Sequence, residues 1–150
     1  MTDITWDGSK IIVALDDSWR RLLENVLSLL PVLEADEAVA SRLNPAAHQS
    51  DEHRENTYRQ AVDEELAAVR DQDRAAVAAS IWSTSVDTSV AECWMRVIGD
   101  MRLALATRHD VDETSLSRAD DTPTRLIHML GHIQDQLVMA LDRAAFGSRS

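Results

Sequence analysis

The chain has 150 residues, which fits one domain, residues 1–150, with a core large enough to need neither disulfides nor a structural metal. Its 45% hydrophobic and 27% charged residues exclude wholesale disorder, and no apolar run approaches the roughly 20 residues of a membrane span. A net charge of −11, from 26 acidic against 15 basic residues, disfavours direct DNA binding, which needs a basic face, and leaves a basic protein partner or plain solubility as its meaning.

Met1 to Ser9 has neither a basic patch nor a signal-like apolar stretch, so a cytoplasmic location is expected. The single cysteine fits a reducing compartment. Ile4 to Trp6, Asp7-Gly8 and Ser9 to Leu15 form a β-hairpin pattern over about residues 4–15, with Asp7-Gly8 as a two-residue turn and Ile11, Val13 and Leu15 facing inward. Asp16, Asp17 and Ser18 offer capping oxygens to a helix whose face carries Trp19, Leu22, Leu23, Val26, Leu27 and Leu30, and Pro31 is expected to end or kink it. A short helix is expected over about residues 36–43, stopping before Asn44-Pro45.

A long helix is expected from Asp51, capped by Ser50, to Trp82, with Tyr58, Val62, Leu66 and Val69 in one stripe that fades from Arg70 to Arg74. Beyond its midpoint it is expected to enter solvent or to meet a second subunit. From Ser89 to Arg108, Val90, Trp94, Val97, Met101 and Leu105 recur at helical spacing, with Ser89 and Glu92 as a capping box. His109 to Asp121 reads as a loop. Thr122-Pro123 opens a final helix with Leu126, Leu130, Ile133, Leu137 and Leu141 buried and Gly147 at its end. The expected fold is mainly α: a bundle of about four to five helices over residues 17–146, with a short N-terminal hairpin.

Three groups are candidates for chemistry. Cys93 falls at the edge of the Trp94 stripe, near Val97, Asp100 and Ala104, a position that favours an inert core thiol over a redox sensor. His128 and His132, at i and i+4, share a helix face with Asp135 beside them. That spacing can hold a metal, but third and fourth ligands are not evident, so the pair is a weak metal candidate. Asp63, Glu64 and Glu65 point to different faces and cannot converge on one ligand, and Asp100 and Arg102 must each pair with another element. Of the tryptophans Trp6, Trp19, Trp82 and Trp94, core roles are favoured over partner contacts. Phosphate loops, nucleophile elbows and zinc motifs are missing, so no enzyme and no cofactor is expected.

The string from Trp94 to Arg108, carried by Trp94, Asp100, Arg102, Leu103, Leu105 and Arg108, resembles the AosR-like family of small actinobacterial proteins, formerly a domain of unknown function. Arg42 to Ala47, the charged helix and the terminal helix extend the likeness over nearly the whole chain. The resemblance implies an oxidative-stress transcriptional regulator that contacts a sigma factor. It also implies a closely spaced cysteine pair, whereas this chain has Cys93 alone and can form no intramolecular disulfide. The leading expectation is therefore a non-enzymatic regulator that binds a protein partner and touches DNA only through it. The alternatives are a small metal- or ligand-binding helical domain using His128 and His132, and a structural homodimer joined by the long charged helix.

Overall fold

In the computed structural model of the chain, residues 2–35, 54–108 and 122–147 are described. Among these residues, four helices and a small sheet follow in the order β1 (Thr2–Trp6), β2 (Ile11–Leu15), α1 (Asp17–Glu34), α2 (Arg54–Ser80), β3 (Ser85–Val86), α3 (Thr88–Arg108) and α4 (Thr122–Gly147). The mainly helical fold with an N-terminal hairpin is thus observed. The expected helix over residues 36–43, the start at Ser50 and Asp51, and the loop from His109 to Asp121 lie outside the described residues.

β1 and β2 pair antiparallel with Trp6 opposite Ile11, so four residues, Asp7 to Lys10, connect them rather than the expected two. The asparagine-like turn chemistry of Asp7 explains the longer loop. Its Oδ1 accepts the Ser9 and Lys10 amides at 2.8 and 2.7 Å, and Gly8 supplies the positive φ of 100°. β3 is an element the sequence reading missed: two residues after α2 add a third strand in the order β1-β2-β3. On the face turned to the helices, Ile4, Ile11, Val13 and Leu15 are buried.

Pro31 neither ends nor breaks α1, which runs one further turn to Glu34. Leu30 is fully buried just before it, and Glu34 just after it is anchored to Arg74 of α2, so tertiary contacts hold that turn in place despite the lost amide. Helix α3 begins at Thr88, capped not by the expected Ser89 but by Asp87, whose Oδ1 accepts the Val90 amide at 2.8 Å and the Ser89 hydroxyl at 2.7 Å. α3 is the central strut. Ala91, Trp94, Val97, Ile98, Met101, Ala104 and Leu105 are buried along it, and it touches α1, α2 and α4, the last most extensively. The Trp94 indole is wholly buried and donates to Ser80 Oγ at 2.7 Å, which in turn donates to the Ala76 carbonyl at 2.7 Å.

α2 reverses the expected arrangement. Its C-terminal part packs, with Asp73, Val77 and Ser80 buried and Ile81 buried just past its end, while Leu66 and Val69 near its middle are exposed. The stripe does not fade at Arg70 to Arg74. It continues through Asp73, a charged residue that stays in the core-facing row because Arg96 of α3 meets it there.

Candidate functional site

Where α1, α2 and α3 meet, carboxylates and guanidinium groups alternate. Arg96 grips Asp73 in a fork, Nε to Oδ2 and Nη2 to Oδ1, both 2.8 Å. Arg74 binds Glu34 with both terminal nitrogens and lies 3.6 Å from Asp100, which is also 3.9 Å from Arg70. The two aspartates respond in opposite directions. The Arg96 fork holds the Asp73 carboxyl below its ordinary value, whereas burial raises that of Asp100 despite Arg70 and Arg74. Arg74 is pushed up: burial opposes its charge, and Glu34 and Asp100 outweigh the burial.

Cys93 is half-buried and sits at the edge of this network, but its charged neighbours are Asp73 and Arg96 rather than the expected Asp100. Arg96 Nη2 lies 3.6 Å from Sγ. Burial, with Asp73 second, raises the thiol's pKa, which is the reverse of what activates a redox cysteine.

Beside the network an open groove of about 490 Å3 runs between α2 and α3, with Gln134 of α4 in its wall. Leu66 and Val69 form one side, 46% and 47% exposed, and Met95 and Leu103 the other. Arg70, Asp73, Arg96 and Asp100 also line it, each cation there already facing a carboxylate. At 3.6 residues per turn, Asp63 and Glu65 fall on either side of the Val62-Leu66-Val69 row, and both are exposed.

α3 and α4 are joined by a reciprocal exchange that sequence reasoning missed. Gln134 of α4 lies over Gly99 of α3, where a Cβ would come within 3.0 Å of its Nε2, and Arg102 of α3 lies over Gly131 of α4, where a Cβ would come within 3.2 Å of Cζ and Nη2. The two side chains bond each other, Arg102 Nη1 to Gln134 Oε1 at 2.6 Å, and Gln134 Nε2 donates to the Met95 carbonyl at 3.2 Å. The signal in the sequence is two glycines in helix interiors, which need a close-approach reason.

The expected motif residues therefore have separate places. Trp94 and Leu105 are core, Asp100 belongs to the ionic network, Leu103 to the groove, Arg102 to the α3–α4 exchange, and Arg108 is exposed at the end of α3. Trp6 and Trp19 are partly buried against the core, and Trp82, 46% exposed, donates to Glu24.

His128 and His132 are exposed and line a smaller pocket of about 250 Å3 with Arg102, Ile127, Gly131 and Asp135. Among the described residues, no three His, Cys, Asp or Glu side chains are grouped to hold a metal ion. No described helix is long and apolar enough to cross a membrane.

No curated protein and no solved structure matches the chain. A family model covers residues 1–141, and the chain belongs to that family, described as a domain of unknown function, DUF2017.

Proposed function

We propose that the protein is a non-enzymatic regulator that works by binding another protein, and that the groove between α2 and α3 receives a basic, amphipathic helix of that partner. The observation that carries the reading is the exposed Leu66 and Val69 pair facing Met95 and Leu103 across an open channel. Apolar residues at helical spacing along such a channel are the seat of helix-in-groove recognition. Charge selects the partner's sign. The cations in the groove face internal carboxylates, the flanking Asp63 and Glu65 are exposed, and the chain carries −11, so a basic segment is attracted and a second copy repelled.

Within this reading, the resemblance of the Trp94 to Arg108 string to the AosR-like actinobacterial regulators of oxidative stress favours a sigma factor as the partner, in the cytoplasm. Cys93, alone and with its thiol's pKa raised, points to constitutive binding rather than redox gating.

Purified sigma factors titrated against the full chain by calorimetry test this. A 1:1 complex that weakens with salt, and at least about tenfold on the paired substitutions Leu66→Ala and Val69→Ala, is expected. Both positions are exposed, so the fold remains. Absence of binding to every sigma factor, tight DNA binding by the chain alone, or a dimer by light scattering that the same pair abolishes would overturn it.

A further inference from the structure

We propose that the cleft where the β1–β2 loop, the start of α3 and the end of α4 meet binds an aliphatic polyamine, its carbon chain on the Trp6 wall and its ammonium groups on Glu92 and Asp87. The cleft shares no lining residue with the groove between α2 and α3 and does not depend on that reading.

The cleft encloses about 650 Å3, within the roughly 300–1,000 Å3 of small-molecule sites. Its apolar wall is Trp6 with Leu141 and Ala144, side chains already packed against or within the core and so fixed before any ligand arrives. Its rim is acidic. Asp87 caps α3 through Oδ1, which leaves Oδ2, and the Val90 amide and the Ser89 hydroxyl hold the carboxyl below its ordinary value, so it stays charged. Glu92, one turn into α3, is exposed and has no hydrogen bond or ion pair among the described residues. Arg96, one turn further on, is committed to Asp73.

The end of α4 adds to the negative field. Its last turn lines the cleft and carries no basic residue, so no side chain of that turn balances the partial negative charge of the helix end. The positive end of α3 lies at the same place, and the Asp87 carboxylate already caps it. A metal ion is a poor fit, since among the described residues no three His, Cys, Asp or Glu side chains are grouped to hold one. An ammonium group on an alkyl chain asks less: a carboxylate for the charge and an apolar surface for the stem, and tryptophan is the aromatic side chain that attracts a neighbouring cation best. Two carboxylates beside one apolar wall suit a chain charged at more than one point. Lys10 acts on Asp87 through its charge without forming an ion pair and opposes the ligand, which gives the test a variant of opposite sign.

The experiment follows the Trp6 indole N–H resonance in the full chain during titration with putrescine and, separately, with butylamine and with magnesium chloride, at ionic strength held constant with sodium chloride. A saturable shift of Trp6 by putrescine is expected, with the exposed Trp82 unmoved as the control and butylamine weaker by about tenfold, the loss of one charge-assisted contact. Glu92→Gln, at an exposed position that leaves the fold intact, and Asp87→Asn, which keeps a capping side chain, each weaken binding by a similar factor, and Lys10→Gln tightens it severalfold. A Trp6 shift that magnesium reproduces, butylamine binding as tightly as putrescine, affinity indifferent to both carboxylate variants, or a Trp82 shift with Trp6 silent would each overturn the proposal.

Discussion

Arg20 is the residue whose replacement tests the energetics of this fold most directly. Only 5% exposed, it donates from Nε to the Leu15 carbonyl at 3.1 Å, from Nη2 to Val13 at 2.9 Å, and from Nη1 to Ile81 and Ser83 at 2.7 and 2.8 Å. One guanidinium therefore ties the end of β2 to the turn that follows α2, where backbone carbonyls have run out of amide partners. Arg20→Met keeps the length and apolar stem but leaves four acceptors unsatisfied. At about 1.5 kcal/mol per charge-assisted bond the gross loss is roughly 6 kcal/mol. About half returns because the buried cation no longer has to be stripped of water, so a net loss of about 3 kcal/mol is expected. That is a large share of the ~5–15 kcal/mol that stabilises a domain. Arg20→Lys, whose three donors cannot fork, is expected to fall between. Urea unfolding followed by far-UV circular dichroism measures it, with the exposed Arg21→Met as the control at about zero. An Arg20→Met midpoint within ~1 kcal/mol of that control, at unchanged slope, would refute the account.

Three further outcomes follow from the same contacts. Gly99→Ala places a Cβ 3.0 Å from the Gln134 amide, which Arg102 and the Met95 carbonyl hold at both ends, so a loss of about 1 kcal/mol is expected; in a Gln134→Ala background the same change should stabilise by about 0.5–1 kcal/mol through helix propensity. A double-mutant cycle in urea that shows no change of sign contradicts the exchange. Asp73 and Asp100 should shape acid stability in opposite directions. The lowered Asp73 value contributes stability above the ordinary 3.8 that is lost as pH falls through its folded value, and the raised Asp100 value costs stability that is recovered as pH falls through its folded value toward 3.8. Asp73→Asn should therefore flatten the acid loss of the urea midpoint and Asp100→Asn should steepen it. Ser80→Ala orphans the buried Trp94 indole N–H and should cost about 1–2 kcal/mol, read from tryptophan fluorescence during unfolding; a neutral result would mean that the indole finds another acceptor.

Periodicity made the helices and the hairpin legible, because residues such as Leu23, Val26 and Leu30, or Leu130, Ile133 and Leu137, can be buried together only on one helical face. The polar interior was not legible for a related reason. Arg20 extends the Leu23-Leu27-Leu30 row by one turn, and Asp73 continues the Leu66-Val69 row to Val77 and Ser80, yet a hydropathy pattern reads a charge in such a row as the end of the stripe. Their partners are other chain segments: carbonyls up to 63 residues away for Arg20, and Arg96 at a distance of 23 residues for Asp73. Local spacing carries no information about either. Of the candidate site, the sequence held the spacing of His128 and His132 but not that Arg102, from another helix and across a glycine, lines the same pocket.

The same reasoning explains why α2 is two things at once. From Asp73 onward its inner row meets α3 and is buried; before Asp73 the row continues with the same spacing and chemistry, but Leu66 and Val69 face the open groove. An amphipathic row costs free energy wherever it stays wet, at about 25 cal/mol per Å2 of apolar surface left uncovered. The packed second half supplies the nucleus on which the first half can propagate as helix, so the exposed row is held in a helical register without needing a partner to form it. A partner helix that docks there meets a surface already ordered, and the entropy of arranging Leu66 and Val69 has been met in folding rather than in binding. The bidentate Asp73–Arg96 pair joins α2 to α3 at the boundary between the buried and the open parts of that row. Both residues also line the groove, so Arg96→Lys, which keeps the charge but loses the fork, should change partner affinity more than it changes the fold's stability.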